Sequence, residues 1–179
     1  EEDADIALSE RAGWSRWWLV DPLDGTKEFI ADSEEFTVNV ALIEHGEVVF
    51  GVVGIPATGV IYHGGRECGA WRVEPGQQPQ AISMRETPAS GLSVVASRRH
   101  GSALQEQLLA ALIARFGDIE RISVGSSLKF CQLAEGSADF SPRLAPTSQW
   151  DTAAAQGVLE GAGGVAVSYT HLTLPTKRI

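Results

Sequence analysis

Cysteine is scarce: Cys68 and Cys131 are the only two in 179 residues, far apart and outside any C-x-x-C pair. A disulfide framework and a zinc knuckle are therefore excluded, and a reducing cytoplasm suits the chain. Long apolar runs are missing too. None approaches the roughly 20 residues needed to cross a bilayer, and no basic-then-apolar leader opens the chain, so no transmembrane segment is expected. Positive charge is short, with Lys+Arg 14 against Asp+Glu 23 and a formal net charge of -9. A nucleic acid polymer would be repelled and is excluded as a partner. What is present, 44% hydrophobic and 21% charged residues, describes one folded domain rather than a disordered or fibrous chain. A small anion remains an acceptable ligand, provided a divalent metal first neutralises the carboxylates.

The pattern along the chain divides in two. Trp17 to Val20 reads as a buried strand that ends at Asp21-Pro22, since proline cannot donate to a sheet ladder. Phe36–Ile43 and Val48–Ile55 form a hairpin around Glu44-His45-Gly46-Glu47, and Val60–His63 and Ala70–Val73 extend it as a meander. Residues 74–88, with Pro75, Gly76, Pro79 and Pro88, look like a surface excursion. Beyond them strands at Leu92–Ala96 and Ile119–Val124, and a weaker one at Ala138–Ser141, alternate with helices spanning Leu104–Phe116, Ser127–Glu135 and Thr152–Leu159. The expected class is a layered α/β or α+β domain.

The chemistry concentrates in Asp21-Pro22-Leu23-Asp24-Gly25-Thr26, placed where a strand gives way to a helical pattern at Lys27–Ala31. Two carboxylates three positions apart, with the Leu23 carbonyl between them, offer the hard oxygen ligands that magnesium takes. Gly25 lets a phosphate approach the backbone, and the amides opening the next helix favour an anion. A plainer reading stands beside this one: Asp-Pro and Asp-Gly are ordinary turn formers, with Asp24 capping the helix. Likewise Asp151 in Trp150-Asp151-Thr152-Ala153-Ala154 could be an N-cap, Glu1-Glu2 a solvated pair, and Gly125-Ser126-Ser127-Leu128-Lys129 a capped helix start or a seat for a second phosphate. The histidines His45, His63 and His171 lack spaced partners, and Trp14, Trp17 and Trp18 read as core and apolar surface.

Two separated phrases carry a resemblance. Trp18-Leu19-Val20-Asp21-Pro22-Leu23-Asp24-Gly25-Thr26-Lys27-Glu28-Phe29-Ile30, followed by Glu35 to Ile43, and then Trp150-Asp151-Thr152-Ala153-Ala154, resemble the inositol monophosphatase superfamily, and within it the 3'(2'),5'-bisphosphate nucleotidases. The resemblance covers residues 1–167 and implies an αβαβα sandwich. It implies that Glu1, Asp21, the Leu23 carbonyl, Asp24 and Asp151 hold two or three Mg2+ ions, Asp21 bridging two of them. It also implies a catalytic set of Thr26, Asp24 and Glu1, with the Thr26 hydroxyl orienting the attacking water. Substrate would meet Glu1, Leu23, Asp24, Gly25, Thr26 and Asp151, with His100, Ser126, Lys129 and Arg143 on the nucleotide side. The implied activity is removal of the 3'-phosphate of adenosine 3',5'-bisphosphate, giving AMP and phosphate, in sulfate assimilation and with lithium as inhibitor. The partner is then a small nucleotide bisphosphate, and the location cytoplasmic, with peripheral association to the cytoplasmic face of a membrane left open.

Three departures accompany it. Ala155 stands where the resemblance expects glycine and is expected to crowd the substrate side. Residues 168–179 match nothing expected and read as a non-native tail. The chain opens at Glu1 rather than Met, which implies a fragment lacking its first helices and last strand, with reduced solubility and turnover. An inositol monophosphatase or sugar bisphosphatase is the rival of the same class. A metal-and-nucleotide binding fragment without catalysis is the rival of another class.

Overall fold

The computed structural model describes residues 10, 13–96, 103–144 and 146–167. The expectations placed on Glu1, His100, His171 and residues 168–179 lie outside them. The first half is a six-stranded antiparallel sheet in sequence order: β1 (Arg16–Asp24), β2 (Thr37–Glu44), β3 (Glu47–Ile55), β4 (Val60–Gly65), β5 (Gly69–Val73) and β6 (Gln80–Ile82). Period-2 burial along β2 turns Thr37, Asn39, Ala41 and Ile43 inward. On the other face Trp18, Val20 and Ile61 remain substantially exposed, whereas Trp17 packs against the core.

A short helix, α1 (Thr26–Ile30), follows β1. The second half places β7 (Leu92–Ala96) parallel to β8 (Ile119–Ser123), joined through α2 (Ala103–Phe116). Two further helices, α3 (Leu128–Ala134) and α4 (Ala153–Gly161), complete the second half. One apolar cluster joins the inner face of the large sheet, α3, α4 and the near side of β7 and β8; a second joins Leu92 and Val94 to Leu109 of α2. Strand β7, covered on both sides, is accordingly an unbroken apolar run apart from Ser93. The chain is thus a layered mixed α/β fold, as the pattern of elements implies.

The site depends on how closely α4 approaches the sheet. A Cβ on Gly51 of β3 would lie 1.8 Å from the Ala154 carbonyl oxygen, and one on Gly157 would lie 2.7 Å from the Gly51 nitrogen. Helix and strand touch backbone to backbone, which only glycine permits.

Four expectations are corrected. Strand β1 does not stop at Asp21-Pro22 but runs to Asp24, absorbing the proline in an irregularity of register between Asp21 and Asp24 on an edge strand. Residues 74–88 are not merely an excursion: β6 pairs with β5, and the Met84 amide donates to the Ala162 carbonyl at 3.0 Å. Ala138–Ser141 forms no strand, only a single bridge between Val94 and Phe140. Ala155 faces the core with no exposed surface, so it does not crowd the substrate side.

Candidate metal and phosphate site

At the end of β1 the chain turns on itself. The Leu23 amide donates to Asp21 Oδ1 at 3.1 Å, and the Thr26 hydroxyl donates to the Leu23 carbonyl at 3.4 Å. Gly25 then takes a left-handed conformation (φ 88°), which costs it little and would strain any other residue. A side chain there would also meet the Glu35 carbonyl at 3.1 Å and the Ser126 Cβ at 3.3 Å. Close backbone approach at Gly25 therefore brings the 126–127 segment onto the turn. Glu35 ties the same place from the other side, accepting from the Gly125 amide at 2.8 Å.

Asp151 reaches the turn from the opposite direction, just ahead of α4. Carboxylate oxygens of Asp21, Asp24 and Asp151 lie within 4.8 Å of one another. The three line one open cleft of about 230 Å3 together with the rest of residues 20–26, Ser148 and Trp150. None of the plainer capping readings describes these side chains. The residue in the capping position of α1 is Gly25, that of α3 is Ser127 and that of α4 is Thr152, and none makes a side-chain capping bond. Asp24 Oδ2 instead accepts from the Ser127 amide at 2.7 Å, the Ser127 hydroxyl at 2.8 Å, the Thr37 hydroxyl at 3.3 Å and the Asn39 amide at 3.4 Å. Asp151 Oδ2 accepts from Arg143 at 3.3 Å.

Burial, and secondarily the nearby charge of Asp24, pushes the Asp151 carboxyl above its ordinary value, while Arg143 pulls it back. The charges in the cleft are mutually unfavourable as they stand. Hard oxygens crowded in this way are a donor set that suits a divalent cation. Lys129 is 6% exposed, and its ammonium donates to the Ser126 carbonyl at 2.7 Å. Burial, then the charge of Arg143, lowers its pKa, opposed by Asp24, Glu28 and Glu35. Ser126 sits at φ 45° with its hydroxyl buried and unpartnered. Lys129, Ser126 and Arg143 flank the carboxylates but do not line the 230 Å3 cleft.

Thr37 and Asn39 escaped the reading of the sequence, and Ser127, read as a helix cap or part of a seat for a second phosphate, instead donates to Asp24. A signal was present: two polar residues, Thr37 and Asn39, occupy inward positions of a strand whose other inward residues, Ala41 and Ile43, are apolar.

The sequence profile of the inositol monophosphatase family matches residues 1–179. The chain belongs to this family. Among curated relatives it is 48% identical over 153 residues to the 3'(2'),5'-bisphosphate nucleotidase CysQ of Escherichia coli K12, covering 86% of this chain and 59% of that one. It is 47% identical over 174 residues to the Salmonella typhimurium protein of the same name, covering 97% and 67%. The chain therefore spans about three fifths of the Escherichia coli relative's length. Among solved structures, CysQ from Bacteroides thetaiotaomicron superposes with a TM-score of 0.82 at 37% identity, over 90% of this chain and 65% of that one. Mycobacterium tuberculosis SuhB, at 23% identity and a TM-score of 0.68 over 85% and 62%, shares the fold.

Proposed function

We propose that the chain carries the metal and phosphate centre of a magnesium-dependent 3'(2'),5'-bisphosphate nucleotidase, which removes the 3'-phosphate of adenosine 3',5'-bisphosphate to give AMP and phosphate. The observation that carries this reading is the convergence of Asp21, Asp24 and Asp151 beside the Gly25-Thr26 turn. The name and identity of the curated relatives support the nucleotide over other phosphate esters.

In this reading Asp21, the Leu23 carbonyl, Asp24 and Asp151 hold Mg2+, with Glu1 a further ligand. The bound cations supply a lowered pKa for water near neutral pH and charge to steady the departing ribose oxygen. The protein's own groups do the rest. Three carboxylates repel a phosphate ester until their charge is met, so substrate and metal enter as linked partners. In this reading Gly25 and Thr26 seat a phosphoryl oxygen through the backbone of the turn; the side of Gly25 that a Cβ would take is filled by Glu35, Phe36 and Ser126. In this reading the Thr26 hydroxyl orients water, and a hydroxyl by itself is too weak a base to take the proton. Lys129 and Arg143, with Ser126 and His100, provide the cationic and hydroxylic side to which a second phosphate would go, a need that a neutral inositol ring does not have. The unpaired cysteines, Cys68 exposed and Cys131 buried, suit a reducing compartment such as the cytoplasm. No described helix is long and apolar enough to cross a membrane.

Phosphate release from adenosine 3',5'-bisphosphate and from inositol 1-phosphate, measured side by side with Mg2+, tests the proposal. Faster release from the nucleotide supports it. Preference for the inositol ester replaces it with an inositol monophosphatase, and metal binding without release from either ester leaves a binding module.

A further inference from the structure

Ser127 stands in the capping position of α3 yet leaves that helix uncapped, and its hydroxyl is directed elsewhere. It accepts from the Asn39 side-chain amide at 3.0 Å and lies 2.8 Å from both Asp24 Oδ2 and the Asp151 main-chain carbonyl. A hydroxyl has one proton, and the charge-assisted bond to the carboxylate is the stronger use of it. The Ser127 amide donates to the same oxygen at 2.7 Å. With Thr37 and Asn39 also pointing at it, Oδ2 has more donors than lone pairs, whereas no described donor is recorded on Oδ1. Thr37, Asn39 and Ser127 are all essentially buried, and Asn39 Oδ1 is left buried with no partner. A position that served the core alone would shed that cost by being apolar.

We propose that Ser127, pinned by Asn39, is a positioning residue for the metal site: it consumes Asp24 Oδ2 so that Oδ1 alone faces a divalent cation. The inference rests on the metal reading above. It concerns an outer-shell residue, and loss of such partners weakens metal affinity by about 10–100-fold.

Calorimetric titration of Mn2+ into the full chain reads this without turnover. Ser127→Ala and Asn39→Ala should each weaken Mn2+ binding by about 10-fold or more while the metal-free melting temperature stays close to that of the parent. Ser127→Thr, which keeps the hydroxyl, should restore most of the affinity. Thr58→Ala, in the β3–β4 turn, should change nothing. A folded Ser127→Ala chain that binds Mn2+ as the parent does overturns the inference and leaves the metal reading standing. Loss of affinity that tracks melting temperature across all variants, Ser127→Thr included, also overturns it. If Ser127→Ala does not fold, Asn39→Ala is read by the same criteria; if neither folds, the cluster is a fold element and the inference fails. A parent chain that binds no Mn2+ refutes the metal reading itself, and this inference with it.

Discussion

Replacing Asp24 or Asp151 by asparagine keeps the shape of the side chain and removes one charge from a trio whose oxygens lie within 4.8 Å of one another. Phosphate release should fall on the order of 10²-fold or more, as for loss of one charge-stabilising group, with the circular dichroism spectrum unchanged. An unaltered rate would remove either residue from the site. Gly25→Ala acts through the backbone: the left-handed φ of 88° and a Cβ 3.1 Å from the Glu35 carbonyl should cost about 1–3 kcal/mol in denaturant unfolding. At this scale the carboxylates were legible in the sequence, because Asp and Gly at such spacing announce their chemistry. Asn39 and Ser127 were not, since an Asn in a strand and a Ser before a helix have many uses. Only the packing of strand β2 on the start of α3 brings the two to one oxygen of Asp24.

Among elements, α4 has the least tolerance. With a Cβ on Gly157 only 2.7 Å from the Gly51 nitrogen, Gly157→Ala must lift the helix from β3; a loss of about 1–3 kcal/mol or more is expected in chemical denaturation. Activity should fall as well, because Asp151 rides on the start of that helix. The loop after α3 is held differently. Asp139, its side chain 1% exposed, accepts from Arg85 at 2.7 and 2.6 Å and from the Ser93 amide at 2.7 Å. Chiefly the Arg85 bonds hold its carboxyl below the ordinary value. A depressed carboxyl stabilises the fold above its unfolded pKa of about 3.9, and that contribution is lost as pH falls through the lower folded value. Asp139→Asn should therefore lose about 1–3 kcal/mol near neutral pH, with the deficit shrinking as pH is lowered through the acid range in melts. The hairpin, α2, α3 and α4 were readable from period and punctuation. Strand β6 was not, because three residues among prolines and glycines carry no period, and their assignment to the sheet comes from pairing with β5.

For the molecule as a whole, a net charge of -9 and an acidic cleft predict that divalent cations stabilise it. At a free concentration 100 times the dissociation constant, Mg2+ should add about 2.7 kcal/mol and raise the melting temperature, and Asp24→Asn should remove most of that shift. Equal melting temperatures with Mg2+ and with chelator would contradict a metal centre. The amino-acid order by itself determined the meander, the alternation that follows it and the presence of two carboxylate-bearing turns, because periodicity and turn chemistry act over a few residues. The meeting of those turns was decided only by the tertiary structure. Asp24 and Asp151 belong to distant segments, and it is the glycine contacts that seat α4 on β3 and the 125–127 segment on Gly25, together with the bonds from Ser127 to Asp24, that bring them to one cleft.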